Sequence, residues 1–303
     1  MKVAVTGASG RIGRAVVAAL ATDPEVGEVV ALDLAAPDSP LPRGVRHLSR
    51  DTRDPRLVQN LDGADALVHL AFRVLDRSEA ESVNVDGSRN VFDAALAAGV
   101  SVIVNASSAE VYGGHADNPV PLQEDRPLRP AEFAYPETMV RVERLLEGLS
   151  SRNPDMRAVW LRPSTTLGPG SPLLFGHSAL VRLSDFDPLL QFTWVDDVAS
   201  AFVCALHARD ARGAFNVGAP GALRASEVAA VLGVRDVALP HRLRRAAAKA
   251  MTVARLPGAR HPGFVDMARY PIVVDARRAE RELGWRPRHD SLAALRRFGE
   301  GMR

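Results

Sequence analysis

The residues best suited to chemistry stand close to the start of the chain, where the segment TGASGRIG covers positions 6–13. This segment follows a short apolar run and precedes a helical pattern, so it links a predicted strand to a predicted helix. In such a link the first glycine permits a tight turn, the second lets a diphosphate approach the backbone, and the third lets the helix pack closely. Free N–H groups at the start of the helix attract phosphate. The sequence therefore predicts a dinucleotide site formed by Gly7, Gly10, Arg11, Ile12 and Gly13.

An acidic residue, Asp33, stands at the end of the next apolar run. A carboxylate at this place accepts hydrogen bonds from both ribose hydroxyls of an adenosine and repels a 2′-phosphate, which favours NADH over NADPH. Arg11 and Arg14 favour the opposite choice, because either guanidinium could pair with a 2′-phosphate. The predicted cofactor is therefore NADH or NADPH, with NADH preferred.

Short apolar runs alternate with helical patterns over the first 165 residues. Fully apolar strands separated by helices are typical of a parallel sheet that is covered on both faces. Right-handed crossovers then build an α/β fold with a doubly wound parallel sheet, the Rossmann arrangement. The predicted strands are Lys2–Thr6, Val29–Leu32, Val45–Leu48, Ala66–Leu70, Val102–Asn105 and Ala158–Leu161. The predicted helices cover residues near 12–22, 54–60, 79–98 and 136–149.

The pattern changes after this first part, because proline and glycine cluster over positions 163–176. We predict a dinucleotide-binding domain over residues 1–165, to which residues 193–218 return. A smaller, C-terminal substrate-binding part is predicted over 166–192 and 219–303.

The composition excludes several classes of protein. The formal net charge of the 303 residues is only +2, which gives no signal for a nucleic-acid or membrane partner. The single cysteine, Cys204, lies on the apolar face of a predicted helix, which indicates a core thiol. No histidine spacing suits a metal, and no segment resembles a leader or a membrane span, so we expect a cytoplasmic protein without a metal. The basic stretch 241–260 is interpreted as a solvated helix face, with a partner, an anionic ligand or a lid as the alternatives.

Further motifs along the chain resemble one enzyme superfamily. They are DT at 51–52, HLA at 69–71, NVDG at 84–87, SSAEVYG at 107–113, LRP at 161–163, LGP at 167–169, TWVDDV at 193–198 and LGWRP at 283–287. Together with the glycine-rich segment they resemble the extended short-chain dehydrogenases/reductases and, within these, the NAD-dependent epimerase/dehydratase family. The resemblance implies an enzyme and adds cofactor contacts at Asp51, Thr52, Leu70, Ala71 and Pro163.

The resemblance also implies a catalytic triad of serine, tyrosine and lysine, in which Ser108 and Tyr135 supply the first two. The lysine is expected four positions after the tyrosine, on the same helix face, and that position holds Met139. The lysines of the chain, Lys2 and Lys249, lie far from this position in the sequence. The chain is thus an atypical member whose triad lacks its lysine, unless an arginine from elsewhere folds into the site.

The missing lysine bears on the direction of the reaction. In the family the lysine lowers the pKa of the tyrosine, whereas an unperturbed tyrosine has a pKa of about 10 and is only about 0.1% ionised at neutral pH. Oxidising an alcohol needs the tyrosinate as a base, but reducing a ketone needs only a neutral proton donor. The sequence therefore favours an atypical NAD(P)H-dependent ketoreductase.

The segment before Trp194 is apolar, aromatic and acidic, and it lacks the arginine that sugar-nucleotide enzymes of the family place there. This favours a small carbonyl substrate, with an aromatic, polyketide-like compound as the expected kind. We predict that it contacts Phe72, Glu110, Phe192 and Trp194. Two alternatives stay open, namely a sugar-nucleotide epimerase or dehydratase with an altered mechanism and a non-catalytic NAD(P)-sensing protein. The resemblance also implies a homodimer that forms through the third and fourth predicted helices.

Overall fold

The computed structural model describes residues 1–38, 40–73, 77–171, 179–240 and 269–302. The strands within them are β1 (Lys2–Thr6), β2 (Glu28–Asp33), β3 (Val45–Ser49), β4 (Ala66–His69), β5 (Val102–Ala106), β6 (Arg157–Pro163), β7 (Thr165–Leu167), β8 (Ala179–Leu183), β9 (Leu189–Leu190), β10 (Phe192–Trp194), β11 (Gly213–Val217), β12 (Leu223–Arg224) and β13 (Arg235–Leu239). Seven of them form the central sheet in the order β3-β2-β1-β4-β5-β6-β11, and every neighbouring pair is parallel. The chain winds outward from β1 in both directions, so the predicted doubly wound fold is confirmed.

The described helices are α1 (Arg11–Ala21), α2 (Leu57–Asn60), α3 (Arg77–Ala80), α4 (Gly87–Ala97), α5 (Ala134–Arg152), α6 (Val195–His207), α7 (Ala225–Leu232), α8 (Arg277–Glu282) and α9 (Ser291–Glu300). A π-helical segment, Glu81–Asp86, joins α3 to α4, and a 3₁₀ helix, Ala109–Tyr112, follows β5. The helix predicted near 54–60 is shorter than expected, because the Asp54 carboxylate accepts the N–H of Arg56 and forms a turn there instead. Among the described residues, no helix is long and apolar enough to cross a membrane.

The two faces of the sheet bury alternate side chains of the same strand. In β1, Val3 and Val5 pack on the side of α1 and α6, whereas Ala4 packs on the side of α2, α4 and α5. All three side chains are fully buried, which is why the strand reads as a continuous apolar run. This double cover leaves the carboxyl edge of the sheet as the place where loops meet. The predicted homodimer through α4 and α5 stays a prediction.

Three two-stranded sheets complete the described part of the second half of the chain. β7 pairs with β10 and β8 with β13 in parallel, and β9 pairs with β12 in the antiparallel sense. A third apolar cluster joins β10, α7 and α9. The basic stretch 241–260 lies outside the described residues.

A late segment of the chain packs into the central core. Trp285 is fully buried in the same apolar cluster as Val3, and its indole N–H donates to the backbone carbonyl of Asp197 at 2.9 Å. The buried carboxylate of Asp197 accepts the N–H groups of Arg288 (2.9 Å) and His289 (3.2 Å), which holds this segment against α6. β11 lies in the central sheet and Trp285 packs into its core, and the predicted division of the chain into two parts stays a prediction.

Candidate active site

The glycine-rich loop is built so tightly that side chains have no room in it. Gly7 has a φ of +72°, and a Cβ added there would lie 2.5 Å from the carbonyl carbon of Leu70, so the loop contacts the end of β4 directly. A Cβ at Gly13 would overlap the carbonyl oxygen of Gly7. Gly10 precedes the first residue of α1 and no side chain caps the helix there, so the N–H groups of the first turn, from Arg11 onward, have no side-chain partner among the described residues. This cradle fits a dinucleotide diphosphate, and it brings the predicted cofactor residues Leu70 and Ala71 next to the loop.

Asp33 lies beside this loop at the end of β2. Its carboxylate accepts the N–H of Ser9 at 3.0 Å through one oxygen and the N–H of Ala35 at 3.0 Å through the other. These bonds fix the orientation of the carboxylate and leave lone pairs on both oxygens for ribose hydroxyls. The nearby guanidinium of Arg14 is exposed and pairs with Asp38 at 2.5 Å. The geometry therefore supports a ribose-binding role for Asp33.

We expect the protein to bind NADH more tightly than NADPH, because the fixed carboxylate of Asp33 opposes a 2′-phosphate. Fluorescence titration with each reduced nucleotide measures the two dissociation constants. The Asp33→Asn variant should narrow the difference between them. Asp51→Asn is the matched control, since this carboxylate already accepts hydrogen bonds from Arg53. An affinity for NADPH ten-fold above that for NADH, equivalent to about 1.4 kcal/mol, would contradict the role given to Asp33.

The predicted adenine contacts, Asp51 and Thr52, follow β3 on the same edge of the sheet. A Cβ on Gly87 would lie 2.6 Å from the Thr52 hydroxyl oxygen, so this loop packs closely against the start of α4. The amide of Asn90 donates to the backbone carbonyl of Thr52 at 2.7 Å. Hydrogen bonds from Arg53 lower the pKa of Asp51, which keeps that side chain ionised. The loop is thereby held against the start of α4, and its contact with adenine stays a prediction.

Ser108 and Tyr135 meet at the carboxyl end of β5. Ser108 caps the 3₁₀ helix, where its hydroxyl oxygen accepts the N–H of Glu110 at 3.2 Å. The side chain of Ser108 lies near the Tyr135 hydroxyl and favours its ionised form. Burial and the negative charge of Glu110 raise the pKa of Tyr135 well above its ordinary value, while the charge of Arg11 and the side chain of Ser108 oppose that rise. The structure thus brings both predicted catalytic residues together and holds Tyr135 protonated.

Met139 lies one turn further along α5 and offers no charge to Tyr135. Its side chain is 1% exposed and packs in an apolar cluster with Val111 and Leu122, against which Tyr135 also packs. The next basic residue of the helix, Arg141, points to the surface and pairs with Glu81. Within the described part of α5, no cation faces the tyrosine. The absence of the family's lysine is a feature of the sequence, and its effect on the reaction stays a prediction.

Glu110 has an unusual environment for a carboxyl group. Burial raises its pKa to about 7, and one of its oxygens is buried without a hydrogen-bond partner among the described residues. A carboxyl with this pKa carries its proton on about half of the molecules at neutral pH. Because it interacts electrostatically with Tyr135, it belongs to the site. Its predicted contact with substrate stays a prediction.

Asn84 positions the loop after β4 and is a residue that the sequence motif does not single out for the site. Its side-chain oxygen accepts the N–H of Arg73 at 3.0 Å, and its amide donates to the carbonyl of the same residue at 2.9 Å. The amide also donates to the hydroxyl of Thr138 on α5 at 3.2 Å. This buried side chain joins the loop to the helix that carries Tyr135, so that Phe72 packs in the cluster beside the tyrosine.

A buried ion pair supports the site from behind. Arg162 on β6 makes two parallel bonds to Glu143 on α5, at 2.6 and 2.9 Å, and both side chains are almost fully buried. Ser107 donates to the same carboxylate, and Arg162 donates to the hydroxyl of Tyr112 at 2.7 Å. Burial alone would lower the pKa of Arg162, but the bonds and charge of Glu143 raise it. The sequence does not reveal this pair, although Tyr135, Met139 and Glu143 are spaced by four on one helix face.

Two of the predicted substrate residues do not reach the site. Phe192 and Trp194 are buried in the third apolar cluster, where α9 covers them, so they are core residues rather than substrate contacts. Pro163 is the buried last residue of β6 and pairs with Val217 in the sheet, so only its position at the carboxyl edge agrees with the prediction. In the described part of the chain, no group of His, Cys, Asp or Glu side chains is arranged to hold a metal ion.

A doubly wound parallel sheet with this glycine loop, an aspartate at the end of β2 and a serine and a tyrosine near its carboxyl edge is the arrangement of a nicotinamide-dependent short-chain dehydrogenase/reductase. The chain belongs to the NAD dependent epimerase/dehydratase family, whose model matches residues 3–218. The predicted family is thereby confirmed, and NAD is the cofactor on which this family depends.

Comparisons with individual proteins agree with this assignment. An uncharacterized protein of Mycobacterium tuberculosis is 27% identical over 332 aligned positions, which cover 99% of this chain and 83% of that protein. The 3beta-hydroxysteroid-dehydrogenase/decarboxylase isoform 2 of Arabidopsis thaliana is 30% identical over 192 positions, which cover 58% of this chain and 34% of that protein. The solved structure of MoeE5 in complex with UDP-glucuronic acid and NAD is 28% identical, with a TM-score of 0.77 and coverage of 99% of this chain and 98% of that chain. The chain is similar to the Mycobacterium tuberculosis protein and to MoeE5 over nearly its whole length.

Proposed function

We propose that the protein reduces the carbonyl group of a small, uncharged aromatic substrate, with NADH as the reductant. The observation that carries this proposal is the protonation state of Tyr135. Burial and the charge of Glu110 keep its hydroxyl protonated, and the next turn of the helix holds Met139 instead of a cation. A protonated phenol is a proton donor, which reduction needs, and a poor base, which oxidation needs. The site is therefore better suited to reducing a ketone than to oxidising an alcohol.

Three side chains of the site have separate roles in the proposed reduction. Bound NADH would supply a hydride to the carbonyl carbon. Tyr135 donates its proton to the carbonyl oxygen while negative charge develops there. Ser108 orients the tyrosine hydroxyl and offers a second hydrogen bond to the same oxygen. Glu110, with a pKa of about 7, is a proton source beside the donor after the transfer.

The charges of the described C-terminal part favour an uncharged substrate. Arg182 makes two bonds to Asp236, at 2.9 and 2.8 Å, so its guanidinium is already neutralised by a carboxylate. Arg269 stacks on the rings of Phe186 and Tyr270, which themselves meet edge to face at 5.3 Å. Aromatic rings of this kind are suited to an apolar, aromatic ligand. A doubly charged diphosphate finds little free positive charge among these residues.

The proposal is tested by following NADH oxidation with a panel of aryl ketones, quinones and nucleotide sugars. We expect turnover with at least one aromatic carbonyl compound and none with the nucleotide sugars. Turnover that is abolished by boiling but unaffected by Tyr135→Phe would show that Tyr135 is not the proton donor. If none of the carbonyl compounds is reduced although NADH binds, the proposed activity is wrong.

A sugar-nucleotide enzyme is the second candidate, because MoeE5 is similar over nearly the whole chain and its solved structure holds UDP-glucuronic acid. Such an enzyme would begin by oxidising a hydroxyl and would need tyrosinate as the base. UDP-glucose and UDP-glucuronic acid should therefore be tested with oxidised NAD, and their products analysed by chromatography. Conversion without net consumption of NAD would favour this candidate over the reductase.

Placing a cation at position 139 should change the pH dependence of the reverse reaction. In a Met139→Lys variant, the new charge stabilises the tyrosinate of Tyr135, so its pKa falls and the base becomes available at lower pH. The rising limb of alcohol oxidation should then move to lower pH by about one to three units, at roughly 1.4 kcal/mol per unit. The measurement is the oxidation rate as a function of pH.

The control for this experiment is Met139→Leu, which keeps an apolar side chain in the cluster and should leave the profile in place. Melting curves of both variants separate a packing defect from an electrostatic effect. Two results together would show that the missing lysine does not set the direction of the reaction. They are an unshifted profile in a folded Met139→Lys protein and a wild type that oxidises alcohol as fast as it reduces ketone at neutral pH.

A further inference from the structure

His69 is a polar residue in the apolar layer between the central sheet and α4. It is the last residue of β4, its side chain is fully buried, and the rings of Phe72 and Phe92 meet it edge to face at centroid distances of 4.7 and 5.5 Å. Burial lowers its pKa to about 3, so the ring is neutral near neutral pH. An apolar side chain would fill this place without the cost of burying two ring nitrogens. What the histidine contributes must therefore come from the hydrogen bonds of these nitrogens.

The hydrogen-bond partners of His69 fix which ring nitrogen carries the proton. Nδ1 lies 2.6 Å from the hydroxyl oxygen of Thr6 on β1, and Nε2 lies 2.9 Å from the hydroxyl oxygen of Ser88 on α4. The Ser88 hydroxyl donates its proton to the backbone carbonyl of Asn84, so it can only accept from the ring. Nε2 therefore carries the proton, and Nδ1 accepts the hydroxyl of Thr6. All four residues are buried, and their hydrogen bonds run in one direction, from Thr6 to Asn84.

This chain of hydrogen bonds begins next to the glycine-rich loop. Thr6 and His69 are paired in register at the ends of β1 and β4. The residues that follow them are in direct contact, because a Cβ added to Gly7 would lie 2.5 Å from the carbonyl carbon of Leu70. The bond between Thr6 and His69 thus fixes the glycine turn of the diphosphate cradle against the end of β4.

The other end of the chain lies on α5. Asn84 takes part through its backbone carbonyl on one side and its side chain on the other. Its side-chain amide donates to the hydroxyl of Thr138 at 3.2 Å, and that hydroxyl donates to the backbone carbonyl of Tyr135 at 2.8 Å. Buried hydrogen bonds therefore connect the residue before the glycine turn to the backbone of the residue that is the proposed proton donor.

We propose that His69 is a positioning residue that holds the glycine turn and the start of α5 in one fixed relation. The inference deepens the proposed reductase and rests on it, since Tyr135 is the proton donor there. Reduction of one carbonyl group needs the nucleotide and the tyrosine to be placed together, and an error of about 1 Å can cost on the order of 10²-fold in rate. A protonated ring would lose the bond from Thr6, and an apolar ring would lose both bonds.

The first test is His69→Phe, which keeps an aromatic ring between Phe72 and Phe92 and removes both hydrogen bonds. We expect the kcat of ketone reduction to fall by about 10- to 100-fold and the Kd of NADH to rise by about 5- to 10-fold, because both ends of the chain lose their connection. NADH oxidation at saturating substrate and fluorescence titration measure the two effects. His69→Gln, whose amide can donate to Ser88 in place of Nε2, should recover part of both losses. Adding Thr6→Val to His69→Phe should change little, because the bond that it removes is already lost.

Phe92→Leu is the matched control, because it loosens the packing around the same ring and keeps the hydrogen bonds. It should lower the melting temperature and leave the kcat and the affinity for NADH close to those of the wild type. Equal losses in Phe92→Leu overturn the inference, as does a His69→Phe protein that keeps its kcat or its affinity for NADH. Should His69→Phe fail to fold, Thr6→Val alone removes the bond at the glycine turn and is judged by the same criteria.

Two NMR measurements on the full chain test the inference without any activity. Among the nitrogen signals of its eight histidines, those lost in His69→Phe should show a proton on Nε2 and no titration between about pH 5 and 9. A proton on Nδ1, or a titration in this range, contradicts the chain of bonds. With fluorinated tyrosine incorporated, the fluorine resonance that Tyr135→Phe removes should move in His69→Phe and stay in place in Phe92→Leu. If the wild type reduces no ketone, the proposed reductase is wrong, and the affinity for NADH and these spectra then decide the role of His69.

Discussion

Replacing Tyr135 by phenylalanine is expected to reduce the rate of ketone reduction by about 10²–10⁴, which is the usual contribution of a positioned general acid. The variant loses one hydroxyl and keeps the ring that packs against Met139 and its neighbours, so the fold should survive. Binding of NADH, measured by fluorescence, should stay close to that of the wild type. The rate is obtained from NADH oxidation at saturating substrate.

Tyr112→Phe is the matched control for this experiment. Tyr112 is a fully buried tyrosine, and burial raises its pKa to about 12. Its hydroxyl donates to Asn216 at 2.8 Å and accepts a hydrogen bond from Arg162 at 2.7 Å, behind Ser108 and Tyr135. Its loss should lower stability by about 1–3 kcal/mol without a comparable effect on the rate. If Tyr135→Phe retains nearly the wild-type rate, the proton comes from elsewhere, with Glu110 or a phenol of the substrate as the next donors to examine.

Breaking the buried pair of Arg162 and Glu143 should have the largest effect on stability. A Glu143→Leu variant leaves the Arg162 guanidinium buried without its carboxylate, which typically costs about 3–5 kcal/mol. Urea unfolding at neutral pH measures the change in the free energy of unfolding. Because the pair joins α5 to β6, the helix that carries Tyr135 should also shift relative to the sheet, and activity should fall together with stability.

Two further variants show whether the unpaired charge, and not altered packing, causes the loss of stability in Glu143→Leu. The double variant Glu143→Leu with Arg162→Met replaces both charges by apolar side chains and should recover much of the loss. Arg141 lies on the same helix as Glu143, and Arg141→Met breaks its exposed pair with Glu81. This change should lower the free energy of unfolding by no more than about 1 kcal/mol. A Glu143→Leu protein that is no less stable than Arg141→Met would show that the buried pair does not hold α5 to the sheet.

Much of the fold and part of the site follow from local features of the sequence. Gly7 and Gly13 are predictable because only glycine fits a turn whose backbone is in contact with its neighbours. Ser108 and Tyr135 come together because Ser108 follows β5 directly and the crossover helix α5, which Tyr135 opens, begins at the same carboxyl edge of the sheet. Such arguments need only the order of the elements and the type of residue.

The errors arise where a partner lies far away in the sequence. Trp194 has the composition of a substrate contact, but α9 covers it, and the start of that helix is marked only by Asp290, which caps the N–H of Ala293. The direction of Arg11 depends on Thr166, with which no local pattern associates it. Long side chains at the rim of a sheet take the direction that distant loops allow, and spacing along the chain does not record it.

The burial of Trp285 beside Val3 has a consequence for how the protein is made. The first strand leaves the ribosome early, yet the apolar cluster on one of its faces lacks Trp285 until the late segment has been synthesised. Until then the nascent chain exposes valines and alanines that promote aggregation, and contacts between positions so distant in the sequence form slowly. The core on this face of the sheet is therefore expected to close only once Trp285 has been synthesised, and its apolar residues are exposed to aggregation until then.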